Sequence, residues 1–289
     1  MSTVQARPPR RFSFSAVGFG AIGVVIVIIV ALVIVKVTGG STKSSPPPGS
    51  ITGDVAAPAS LISEVTGVPS SVAKAVGLPS SVTPPSVLKG QEPLTLDGKP
   101  GAIFIGAEFC PYCAAERWAV VMAFSRFGTF SGLKETASSA WDYAPSTATF
   151  SFYDASYSSN LLTFEPVEAA GNDTSGPGTS RVLQSLTKTQ SNVWATYSAH
   201  FGTSEGFPFL DIGNKVFAIG LSYDPKILSG LSQSDIAAKL RKPRDPVTQA
   251  IVGTANYLTA AICSITNHQP ASVCTAAATV AAARALGTS

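Results

Sequence analysis

The sequence predicts an α/β protein: a mixed central sheet flanked by helices, with a helical insert and C-terminal helices, preceded by one N-terminal transmembrane helix. Three observations predict it. Residues 16–37 form one apolar run, "AVGFGAIGVVIVIIVALVIVKV". Farther on, short apolar runs of the buried-strand kind alternate with segments of helical period. The stretch "GFPFLDIGNKVFAIG", 206–220, reads as a β-hairpin.

The chain has 289 residues, enough for a membrane segment plus one sizeable domain. Its net charge of +3 is unevenly spread. Residues 1–50 carry Arg7, Arg10, Arg11, Lys36 and Lys43 and no acid, which leaves 15 basic and 17 acidic residues beyond them. The folding part is near neutral and lacks a basic stripe, so nucleic acid is not an expected partner.

The apolar run holds 22 residues. As a helix it extends about 33 Å, against about 30 Å of bilayer hydrocarbon. It is longer than a signal-peptide core and no A-x-A-like cleavage site follows, so it reads as an uncleaved anchor in the lipid bilayer. Three arginines precede it, which makes residues 1–15 a cytoplasmic tail and exports the C-terminal bulk from the plasma membrane. Four cysteines, an even count, suit an oxidising compartment.

Residues 38–60 are rich in Gly, Ser, Pro and Ala and read as a flexible linker. Residues 61–87 read as a short helical lead-in, because "TGVPSSV" and "VGLPSSV" each offer a Pro-Ser-Ser that ends one helical turn and caps the next. The main domain spans 88–245. In it, "PLTL" and "AIFIGA" are strands across a "DGKPG" turn, and 114–127 is a helix with Trp118, Val121, Met122 and Ser125 at helical spacing. Residues 147–156 form a strand with Phe150 and Phe152 on one face, and 160–168 another. A loop over 171–180 leads to a helix over 181–198. The hairpin has a two-residue Gly213-Asn214 turn, with Pro208 at the strand start, where a ladder donor can be spared. After a short helix at 234–240, residues 246–289 form a C-terminal helical hairpin packed on the domain. Its first helix shows one apolar stripe through Ala250, Ile251, Thr254, Leu258, Ile262 and Ile265.

The chemistry centres on "GAEFCPYCAAERW", 106–118. An apolar strand delivers Cys110 to a helix start, and Pro111 takes the first helical position, where no N–H is needed. Unpaired N–H groups and the helix dipole favour the Cys110 thiolate, and Cys113, one turn on, is within disulfide reach. One thiolate attacks a disulfide and the second cysteine resolves the mixed disulfide. A structural pair and a metal site are the alternatives. Metal would draw on His200, His268, Cys263 and Cys274, whose spacing matches no zinc template. Cys263 and Cys274 flank "TNHQPASV" and read as a structural disulfide, with a second relay dithiol as the alternative. Glu108 and Glu116 read as surface charges, Glu108 with a proton-shuttle alternative.

"GAEFCPYCAAE" resembles the active site of the thioredoxin superfamily, and "FPFLDIGNKVFAIG" its cis-proline hairpin. Residues 88–274 also resemble an uncharacterised family of membrane-anchored, CPYC-bearing thioredoxin-like proteins of archaea and actinobacteria. The resemblance implies a thioredoxin-like sheet and a cis Phe207–Pro208 bond facing the cysteines. Cys110 would be the nucleophile and Cys113 the resolving residue, with Phe207, Pro208 and Tyr112 binding substrate. It implies no cofactor beyond the redox-active disulfide. The buried acid that many thioredoxins carry in the entering strand is missing from Ile103-Phe104-Ile105. Residues 157–205 exceed a minimal connection and read as a helical insert covering the site. The expected function is a membrane-tethered extracytoplasmic thiol–disulfide oxidoreductase. Its partners would be thiol- or disulfide-containing protein substrates and a membrane redox partner. A non-catalytic binding module and a metal carrier are the alternatives.

Overall fold

The computed structural model of the chain describes residues 55–172, 180–200, 202 and 206–288. The expected tail, the membrane helix at 16–37 and most of the linker lie outside these residues. Among the described residues no helix is long and apolar enough to cross a membrane.

The architecture is mixed α/β. A short strand β1 (Val55–Ala56) precedes helices α1 (Ala59–Thr66) and α2 (Ser70–Val76), each following a proline that spares the first N–H. Next come β2 (Ser86–Val87), β3 (Thr95–Leu96), β4 (Lys99–Gly106) and α3 (Pro111–Phe124). A run of strands follows: β5 (Thr129–Ser131), β6 (Lys134–Ala137), β7 (Ala148–Ser151), β8 (Ser156–Ser158) and β9 (Thr163–Glu168). Helix α4 (Lys188–His200) leads to the hairpin β10 (Phe209–Ile212) and β11 (Val216–Ile219). A 3-10 turn (Pro225–Leu228), α5 (Gln233–Lys239), α6 (Pro246–Ile265), α7 (Ala271–Cys274) and α8 (Ala277–Leu286) complete the chain.

The main sheet runs β2-β11-β10-β4 antiparallel, with β9 parallel to β4 and β3 pairing the start of β4. Strand β4 is therefore central, and Ala102 to Ile105 are fully buried on both faces. A second sheet, β1-β6-β7, packs against α3. There the Trp118 indole N–H donates to Ala148 O at 2.9 Å and its ring lies 4.7 Å from Phe150. Helix α3 also packs on α6.

Several expectations require correction. The last linker residues are structured: Val55 and Ala56 pair with Glu135 and Lys134, which satisfies the edge of β6. The helix expected over 181–198 starts only at Lys188, because the preceding backbone is engaged elsewhere. Gly171 N–H donates to Arg181 O and Leu183 N–H to Ala169 O, which extends this segment beside the end of β9. Thr187 then caps the helix, exchanging hydrogen bonds with Gln190. The insert is thus strands β8 and β9 first and helix afterwards. The hairpin turn has three residues, not two, since Ile212 pairs with Val216 across Gly213, Asn214 and Lys215. Gly213 and Asn214 both adopt positive φ, 72° and 55°, and Asp211 accepts the Asn214 N–H at 3.0 Å. Helix α6 is buried from Ala250 to Cys263 on all sides rather than along one stripe, because α2, α3, α5 and α8 surround it.

Candidate functional site

Strand β4 ends at Gly106, and four residues later Cys110 stands at the N-cap of α3 with extended backbone, φ −76° and ψ 121°. Its sulfur accepts the Cys113 N–H at 3.2 Å, using one of the donors a helix start leaves unpaired. Both cysteines are free thiols; Cys110 is 5% exposed and Cys113 wholly buried. The Cys113 side-chain hydrogen bond outweighs burial and, with the Cys113 N–H and the Arg117 charge, lowers the pKa of Cys110. Burial pushes Cys113 up, and its neighbour Cys110 adds to that. The two sulfurs are thus driven apart in acidity. Gly106 makes room for them: a Cβ there would stand 3.3 Å from the Cys113 sulfur and 2.7 Å from the Phe104 ring.

The hairpin supplies one wall. Phe209 pairs with Ile105, so Pro208 falls beside the end of β4, and the Phe207–Pro208 bond is cis. The Phe207 ring meets Phe109 edge-on at 6.3 Å and stacks on Trp194 of α4 at 5.3 Å. Aromatic packing thus ties the insert to the hairpin and to the residue before Cys110. On the other side Tyr112 stacks on Tyr143 at 5.8 Å. Tyr143 in turn meets Asp224 through its hydroxyl at 3.2 Å, and the Lys226 ammonium lies 4.3 Å above its ring.

Beneath the motif the structure departs from the surface reading of Glu108 and Glu116. Glu108 is 6% exposed and accepts the Ser151 hydroxyl and, at 3.3 Å, the Asn172 N–H. Strand β7 and the chain after β9 close over it. Glu116 is 2% exposed, and burial pushes its carboxyl up to about 7, partly offset by a Ser222 hydrogen bond. Sequence reasoning missed Arg117 and Glu168, which are fully buried and joined by two hydrogen bonds of 2.7 and 2.6 Å. The signal was present: Arg117 lies four residues after Cys113, hence on the same helix face.

Cys263 and Cys274 form a disulfide between α6 and α7. His268 is exposed in the loop between them, and nothing is described of the His200 side chain. Among the described residues no three His, Cys, Asp or Glu side chains gather as metal ligands would.

Fold and site together define a mixed α/β protein with a C-x-x-C dithiol at a helix N-terminus. The chain belongs to a family described as "Domain of unknown function (DUF929)", whose model matches residues 86–264 and so takes in the whole dithiol site. No curated protein matches the chain. No solved structure matches it.

Proposed function

We propose that the protein is a membrane-tethered, extracytoplasmic thiol–disulfide oxidoreductase with a thioredoxin-like fold, acting on protein substrates through Cys110 and Cys113. The observation that carries this reading is the split between the two sulfurs: Cys110 at the helix tip, accepting the Cys113 N–H, and Cys113 buried behind it. The cis Phe207–Pro208 peptide beside the end of β4, and a mixed sheet with β4 at its centre, support the thioredoxin-like assignment. The apolar run at 16–37 and the arginines before it support the tether and its orientation.

In the reductive half-cycle the Cys110 thiolate attacks one sulfur of a substrate disulfide. The substrate S–S bond breaks, and the leaving thiolate takes a proton from water. Cys113 then gives its proton to water and attacks the Cys110 sulfur, so that the mixed disulfide breaks, the second substrate sulfur leaves as a thiolate that takes up a proton, and a Cys110–Cys113 disulfide remains. The substrate gains two electrons and the motif loses two. The oxidative direction is the reverse, with a substrate dithiol as donor. In the exported setting we place the protein on the oxidising or isomerising side, recycled by a membrane redox partner.

A second reading, a binding module whose cysteines are structural, is favoured by the 5% exposure of Cys110. One experiment separates the two. Purified protein is incubated with a disulfide-bonded reporter peptide, and exchange is followed for wild type and Cys110→Ser. Loss of exchange in a folded Cys110→Ser supports the enzyme; equal rates in both, or none in wild type, support the module.

A further inference from the structure

Arg117 is wholly buried on the helix that carries both cysteines, one turn beyond Cys113 and on its face. A buried guanidinium needs partners, and its partners fix its position. Nε and one terminal nitrogen grip the Glu168 carboxylate, at 2.7 and 2.6 Å. That same terminal nitrogen donates to Ala107 O at 2.9 Å. Glu168 is itself held by the Phe152 N–H at 3.2 Å, so the acid cannot swing away. Ala107 links the two, since its carbonyl receives Arg117 while its backbone favours the Cys113 thiolate. The second terminal nitrogen, Nη1, is buried with no hydrogen-bond partner among the described residues.

We propose that Arg117 is a positioning residue that holds a fixed positive charge beneath the Cys110–Cys113 pair and sets how readily its exposed-side sulfur ionises. Arg117 acts in the same direction on both cysteines, favouring the thiolate at each. Among the described residues, the charged or ionisable groups that act on the guanidinium are Glu168 from β9, Cys113, and Glu108 from the loop before the motif, and the guanidinium in turn acts on Cys110. Glu168 is gripped by the cation itself, and Glu108 is engaged by the Ser151 hydroxyl and the Asn172 N–H. A thiolate stabilised in this way stabilises the reduced couple and makes the disulfide a stronger oxidant. This rests on the exchange function proposed above for its purpose, but its test does not.

The test is the thiolate absorbance of the reduced full-length protein near 240 nm as a function of pH. Wild type is compared with Arg117→Lys and with the charge-free pair Arg117→Met/Glu168→Gln. The midpoint is expected to rise about one pH unit in the charge-free pair, a tenfold loss of thiolate below it. Arg117→Lys should keep most of the wild-type midpoint. A charge-free pair that folds, by a cooperative melt, with an unchanged midpoint overturns the proposal. Should that pair fail to fold, Glu168→Gln decides: it keeps the cation and removes its counter-charge, so the midpoint falls, and an unchanged or raised midpoint overturns the proposal. If wild type exchanges with no disulfide yet these midpoints move as stated, the oxidoreductase reading fails while the role of Arg117 stands.

Discussion

The backbone N–H of Cys113 points at the sulfur of Cys110 from 3.2 Å, although the Cys113 side chain lies behind, fully buried. One residue therefore stabilises its partner's thiolate with its backbone while its own thiol is kept protonated by burial. This asymmetry predicts the order of modification. Alkylation of the reduced protein, followed by peptide mass spectrometry across pH, should label Cys110 first and below the ordinary thiol range. Cys113 should be labelled only on unfolding. Labelling of Cys113 ahead of Cys110 would reverse the assigned roles.

Glu116 and Asp211 predict a pH dependence of stability. Burial pushes each carboxyl up to about 7, against a Ser222 hydrogen bond at Glu116 and the Asn214 N–H at Asp211. Each binds more protons folded than unfolded between about pH 4 and about pH 7, so stability falls as pH rises through that window and levels off above it. The slope is up to about 1.4 kcal/mol per pH unit for each group. Urea midpoints should show the fall, and Asp211→Asn and Glu116→Gln should each flatten it. A wild-type profile flat from about pH 5 to about pH 8 is incompatible with this account.

The Arg117–Glu168 pair predicts non-additive energetics. Removing one partner strands a buried charge, so Arg117→Met or Glu168→Gln alone should cost about 3–5 kcal/mol in urea unfolding. Removing both should cost less than the two single losses combined. Simple additivity would mean that the pair does not act as a unit.

Gly106→Ala predicts a disturbed dithiol. The new methyl would stand 2.7 Å from the Phe104 ring and 3.3 Å from the Cys113 sulfur. Overpacking of this kind costs about 1–3 kcal/mol, and here it presses on the resolving sulfur. Lower thermal stability together with slower disulfide formation on oxidation is expected; an unaffected oxidation rate would show that the sulfur does not feel the methyl.

The disulfide between Cys263 and Cys274, 11 residues apart, predicts a purely structural effect. Replacing both by Ser should lower stability by about 3 kcal/mol by loop-closure entropy. The Cys110 thiolate midpoint should be unchanged. A shifted midpoint would revive the relay alternative.

How far the residues alone announced this molecule depended on how local the deciding forces were. The strand–motif–helix unit was readable because an apolar run, a proline at N1 and a helical-period segment all act within about twenty residues. The hairpin was readable from two apolar runs around Gly213-Asn214, but its third turn residue, Lys215, was not, because register is settled by pairing rather than by composition. The helix that propensity places over 181–198 is shorter in the fold, because hydrogen bonds with Ala169 and Gly171, invisible to propensity, claim its first residues. For Glu108 and Glu116 the residues alone point to the surface, because exposure is the usual fate of a carboxylate. Their burial needed β7 and the 3-10 region to arrive from far along the chain.

By itself the sequence determined the α/β class, the dithiol at a helix start, the hairpin carrying Pro208 and the apolar run before the domain. These follow from periodicity, proline geometry and hydropathy, which are properties of neighbouring residues. Only the tertiary structure decided that Arg117, on the helix of the cysteines, would be locked to Glu168, that Phe207 would rest between Phe109 and Trp194, and that two glutamates would be sealed inside. Electrostatic and packing energies depend on distance in space, and residues 51 positions apart in the chain became neighbours only when β9 paired with β4.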